Sequence, residues 1–97
     1  MAAYMIILAE ISDFDGFMNY AKAAAALIPE FGGEYIVRGA KEAETLEGDW
    51  PDETKVVISK WPSMDAARKF WNSPEYEEIK KLRAGNATVS VRIVEAV

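Results

Sequence analysis

An unbroken apolar run near the start, Tyr4-Met5-Ile6-Ile7-Leu8-Ala9, does most to restrict what this chain can become. It is short, rich in strand-favouring residues and apolar at odd and even positions alike. It therefore reads as a strand with apolar side chains on both faces. Such a strand belongs in the middle of a sheet and needs cover on each side.

The rest of the chain supplies partners for it. Asp13 or Asp15 caps a first helix, whose apolar stripe is Phe14, Phe17, Ala21, Ala24 and Ile28 at three- and four-residue spacing. Tyr20 lies beside that stripe. Pro29 and then Gly32-Gly33 end the helix. Residues 34–39 form a second strand, with Tyr35 and Val37 on one face and Ile36 and Arg38 on the other. Residues 41–53 are a loop. Residues 54–61 form a third strand, and Ser63 caps a second helix. Ser73-Pro74 restarts that helix, with Pro74 at the tolerated first position. Ile79 and Leu82 anchor it, and Gly85-Asn86 stop it. Residues 88–94 alternate as a final strand, with Val89, Val91 and Ile93 on one side.

The order β-α-β-β-α-β, with right-handed crossovers, predicts an α+β fold: a ferredoxin-like antiparallel sheet with helices on one face and strands one and three central. A length of 97 residues suits one domain spanning 1–97. The helices cover one face only, yet strand one is apolar on both. An open apolar face is an aggregation hazard. A second copy packed against it removes the hazard and enlarges the core, so a homodimer is expected.

Composition narrows the chemistry further. The chain has no histidine and no cysteine. Ser-His-Asp and Cys-His nucleophiles, histidine-ligated haem, thiolate sites and disulfides are excluded. Proton transfer near neutral pH then falls to a perturbed carboxylate, Lys or Tyr, to water, or to the substrate. No cofactor and no metal is expected. The net charge of −5 argues against nucleic acid and anionic membrane surfaces as partners. No stretch approaches the ~20 apolar residues of a membrane span. No basic segment precedes the first apolar run, so a cytoplasmic location without a secretory signal is expected.

Several segments resemble the DUF1330 family of uncharacterised proteins. They are Ile28-Pro29-Glu30-Phe31-Gly32-Gly33-Glu34-Tyr35-Ile36-Val37-Arg38-Gly39, Leu46-Glu47-Gly48-Asp49-Trp50, Trp61-Pro62-Ser63 and Trp71-Asn72-Ser73-Pro74-Glu75-Tyr76. The resemblance runs over nearly the whole chain in the family's order. It implies a dimeric α+β barrel architecture and no known activity. The wider architecture resembles cofactor-independent monooxygenases and muconolactone isomerase-like enzymes. Trp71, Asn72 and Tyr76 resemble the Trp, Asn and Tyr set with which some of those monooxygenases hold a phenolic substrate.

Candidate site residues follow from side-chain chemistry. Two readings of Arg38 stand: a guanidinium clamp for a carboxylate or enolate, or an edge-strand charge facing solvent. Tyr20 and Tyr76 are hydrogen-bond donors to a substrate. Trp50, Trp71 and Asn72 are candidate walls of a ligand pocket, although aromatics also simply fill cores. Glu42, Glu44, Glu47, Asp49, Asp52 and Glu53 read as a solvated loop and match no EF-hand spacing. The expected function is binding of a small organic acid or aromatic metabolite, with a cofactor-free isomerase or monooxygenase activity. The alternative is a non-catalytic binding or interaction module.

Overall fold

Met5 on the first strand faces Ser59 on one neighbour and Ile93 on the other, and this register organises the molecule. The computed structural model describes residues 1–39, 42–50 and 54–97. Four strands, β1 (Ala3–Ile11), β2 (Glu34–Arg38), β3 (Thr54–Trp61) and β4 (Ala87–Glu95), form one sheet in the order β2-β3-β1-β4. All pairings are antiparallel, and β1 and β3 are central. Helices α1 (Phe14–Leu27), α2 (Met64–Trp71) and α3 (Pro74–Lys80) connect them. This is the ferredoxin-like α+β order expected from the sequence. No described helix is long and apolar enough to cross a membrane.

The dimeric α+β barrel implied by the family resemblance is corrected by this topology. The sheet is open, with β2 and β4 as its edges. Closure would need β2 to hydrogen-bond to β4, and β3 and β1 lie between them.

Local chemistry explains the element boundaries. The Asp13 carboxylate accepts from the Gly16 N–H at 3.1 Å and starts α1. Pro29 removes a backbone donor, and the chain tightens into a 3-10 turn over Ile28–Phe31 that ends at Gly32 with φ +87°. The buried positions of α1 are Tyr20, Ala24 and Leu27. Tyr20 thus belongs to the apolar stripe and not beside it, while Phe14 stays 63% exposed at the helix mouth.

The core lies between the helices and one face of the sheet. Trp61, Tyr76, Phe70 and Met5 are its largest fully buried side chains. Each contributes about 1.5–3 kcal/mol by leaving water. Ser59, buried among them, accepts the Trp61 indole N–H at 2.9 Å, so neither group is stranded. The other face carries Tyr4, Ile6, Leu8, Val56 and Ile58, which pair across β1 and β3 and are half-buried.

Strand β2 departs from simple alternation. Tyr35 pairs with Ser59 and Val37 with Ile58, so two residues of β2 answer one of β3. This bulge shifts everything after it by one position. Arg38 therefore lands opposite Val57, on the face of Tyr35, and its guanidinium sits 5.1 Å from the Tyr35 ring centre. Strict alternation had put it with Ile36.

Candidate ligand cavity between α2 and the sheet

Three side chains of α2 and the turn after it share one helical face: Arg68, Trp71 and Asn72, at i, i+3 and i+4. Two serines hold that face in place. The Ser63 hydroxyl accepts from the Ala66 N–H at 3.1 Å and sets the start of α2. The buried Ser73 hydroxyl donates to the Phe70 carbonyl at 2.8 Å and accepts from the Tyr76 N–H at 3.1 Å. Ser73 thereby ties the end of α2 to the start of α3. The Asn72 N–H donates to the Arg68 carbonyl at 2.9 Å.

Opposite this face, β1 and β4 present Met5, Val91 and Ile93. The six residues line a half-open cavity of about 200 Å³. A cavity of ~150 Å³ accepts a benzene ring, so the volume here suits a single ring with a substituent. The floor is apolar. The polar groups are the Arg68 guanidinium and the Asn72 amide.

A second layer backs the tryptophan wall. The Trp71 and Tyr76 rings are 5.1 Å apart, and Lys80 Nζ lies 4.9 Å from the Trp71 ring centre. Tyr76 in turn shares a 2.7 Å hydroxyl–hydroxyl hydrogen bond with Tyr20, in the protein interior. Burial pushes the Tyr20 hydroxyl far above the usual tyrosine range, and the neighbouring Tyr76 adds to the effect. The Arg83 guanidinium lies 5.2 Å from the Tyr20 ring and opposes that rise. Its Nε is buried and has no hydrogen-bond partner among the described residues. Burial also raises Tyr35, with Arg38 pulling the other way.

The structure thus brings Trp71 and Asn72 together at the cavity and places Tyr76 and Tyr20 behind its wall. Arg38 lies elsewhere, on the β2 edge, whereas the cavity is lined from β1 and β4. Trp50 lies in the described loop and is half exposed. Lys41 and the acidic residues Asp52 and Glu53 fall outside the described residues. Among those described, no three carboxylates gather as a metal-binding group.

Sequence reasoning missed Arg68, Met5, Val91 and Ile93 as lining residues. Arg68 carried a usable signal, since it precedes Asn72 by one helical turn. Met5, Val91 and Ile93 read only as core strand positions. Their exposure to a cavity depends on how far α2 stands off the sheet.

Comparison with known proteins agrees with the fold. The structure is similar to the RPA0582 protein of unknown function from Rhodopseudomonas palustris, with a TM-score of 0.75, 17% identity and coverage of 99% of this chain and 82% of that one. It is also similar to SnoaB, a cofactor-independent oxygenase from Streptomyces nogalater, with a TM-score of 0.71, 18% identity and coverage of 99% and 93%. A dimeric ferredoxin-like protein of unknown function from Jannaschia sp. CCS1 aligns at a TM-score of 0.69, with 11% identity and coverage of 99% and 100%. At these identities the likeness is one of fold. No curated protein matches the chain. The family profile of DUF1330, a domain of unknown function, matches residues 2–97, a span that takes in every residue lining the cavity, and the chain belongs to that family.

Proposed function

We propose that the cavity between α2 and the sheet binds a small ring-bearing organic molecule, and that the chain acts on it as a cofactor-free oxygenase. The observation that carries this reading is the lining itself: an apolar floor, one indole wall and two polar groups in a volume that fits one substituted ring. Among the described residues, the lining holds no carboxylate and no tyrosine hydroxyl. A protein-borne base for isomerisation is therefore missing from it. Oxygenation of a phenol or enol that ionises by itself asks less of the protein. The substrate anion supplies the electrons and dioxygen is the oxidant: its CH carbon forms the carbon–oxygen bond, the peroxide anion takes a proton from water, and the hydroperoxide loses water to leave a carbonyl. The protein supplies placement, a water-poor wall and positive charge. The similarity in fold to a cofactor-independent oxygenase supports the same reading. Tyr76 and Tyr20 support it from behind, by holding Trp71 in place.

The same lining also favours a second reading, a binding module that performs no reaction. Dioxygen uptake separates the two. Electron-rich phenols that ionise near neutral pH would be incubated with the protein in metal-free, flavin-free buffer. Uptake above the uncatalysed rate, abolished in Trp71→Ala, supports the oxygenase. Ligand-induced amide shifts at Met5, Trp71, Asn72 and Ile93 without uptake support the binding module. No shifts at those positions would reject both.

A homodimer belongs to this proposal as well. The half-buried face of Tyr4, Ile6, Leu8, Val56 and Ile58 lies opposite the helices, and Ile36 beside it is 52% exposed. A second copy covering it would bury that apolar surface. Sedimentation at micromolar concentration is expected to give twice the chain mass.

A further inference from the structure

We propose that Arg68 makes the cavity selective for aromatic anions, a carboxylate or phenolate on a single ring, and that Asp65 holds Arg68 when the cavity is empty. The inference rests on the cavity being a ligand site and names the chemical class it takes. Arg68 contributes to the cavity wall beside Trp71 and Asn72. Its Nη1 also contacts Asp65 Oδ1 at 3.0 Å, one turn back on α2. That ion pair is open to water, with the two side chains 55% and 82% exposed. An exposed pair of this kind is weak, because water and salt screen it and two long side chains must be ordered.

A ligand carboxylate in the cavity has three advantages over Asp65. It meets a guanidinium fork against an apolar floor, where less water competes. It can engage two N–H groups side by side, whereas Asp65 engages Nη1. It also lies near the Asn72 amide, which shares the cavity wall with Arg68. Met5, Val91 and Ile93 would then hold the ring while Arg68 turns from Asp65 to the charge. A neutral ring of the same shape gains the floor and wall and not the charge contact. Asp65 competes for the same guanidinium, so it lowers affinity for anions and leaves neutral ligands alone.

The test uses two nearly isosteric probes, benzoate and benzamide, titrated by amide chemical-shift changes at Met5, Trp71 and Ile93. The wild-type chain is compared with Arg68→Gln, Arg68→Lys and Asp65→Asn. Benzoate is expected to bind wild type about tenfold more tightly than benzamide, the scale of one charge-assisted contact. Arg68→Gln should erase that gap by lowering benzoate affinity far more than benzamide affinity. Arg68→Lys should restore part of it. Asp65→Asn should widen it by roughly two- to fivefold, as expected for release of an exposed ion pair. Equal affinity of wild type for the two probes, or a gap that survives Arg68→Gln, would overturn the selectivity alone. Absence of shifts with either probe would reject the cavity as a ligand site and this inference with it.

Discussion

The hydroxyls of Tyr20 on α1 and Tyr76 on α3 lie 2.7 Å apart, and the two side chains are 9% and 1% exposed. They are the polar stitch between two helices. One phenol donates and the other accepts, both in the protein interior. Removing one strands its partner. Tyr20→Phe or Tyr76→Phe should each cost about 1–3 kcal/mol, the price of a buried unpaired hydroxyl. The double variant should cost less than the sum, because no orphan remains. Urea unfolding of the four proteins measures this; strict additivity would show that the hydroxyls do not interact.

The same burial sets the alkaline limit of stability. Both Tyr20 and Tyr35 have folded-state pKa values raised above the ordinary value near 10. Below that value both states are protonated and the contribution is intact. Above it the unfolded chain loses phenolic protons that the folded chain keeps, so stability falls as pH rises. Thermal unfolding from pH 9 to 11.5 should show a falling midpoint that begins near pH 10. Tyr20→Phe should flatten that slope. An identical slope in the variant would place its origin elsewhere.

Gly33 has no room for a side chain. An added Cβ would lie 2.7 Å from Ile28 Cγ2 and 2.8 Å from the buried Trp61 ring. The backbone there is not left-handed, so the constraint is space and not φ. Gly33→Ala should destabilise by about 1–3 kcal/mol, as overpacked cores do. Gly48→Ala meets no atom of the described residues within 4 Å, yet sits at φ +83°. Its cost should come from backbone strain alone, about 1 kcal/mol. Chemical denaturation of both variants is the check.

Ser59 should prove less replaceable than its size suggests. Ser59→Ala leaves the Trp61 indole N–H buried without an acceptor, at about 1–3 kcal/mol. Ser59→Thr keeps the hydroxyl and should lose less if the extra methyl fits. Unfolding curves that rank Ala as milder than Thr would show that packing, and not the hydrogen bond, decides the site.

Arg38 and Trp71 should separate cleanly. Arg38→Ala should leave ligand affinity at the cavity unchanged and raise the Tyr35 titration further, since the guanidinium now opposes that rise. Trp71→Ala should abolish ligand binding and leave Tyr35 alone. Phenol absorbance during alkaline titration and ligand-induced amide shifts read the two effects. Loss of binding in Arg38→Ala would restore it as a clamp.

Read alone, the sequence determined the elements and their order. The apolar run at Tyr4–Ala9, a cap at Asp13 or Asp15, the cap at Ser63, the restart at Ser73-Pro74 and the alternation of Val89, Val91 and Ile93 are local patterns, and local backbone and hydration preferences act on them directly. Trp71 and Asn72 stand out in the sequence by side-chain chemistry and by resemblance to the Trp, Asn and Tyr set of some monooxygenases. The tertiary structure alone decided three things. The β2 bulge moved Arg38 to the face of Tyr35, because a pairing register depends on two strands and not one. The partnership of Tyr20 with Tyr76 arose from the packing of α1 on α3, across 56 positions of chain. The open sheet and the gap beneath Arg68 came from how many strands pair and how far α2 stands from β1 and β4. Strand number and layer spacing are set by the summed volume of side chains from distant segments, and no single stretch of sequence encodes that sum.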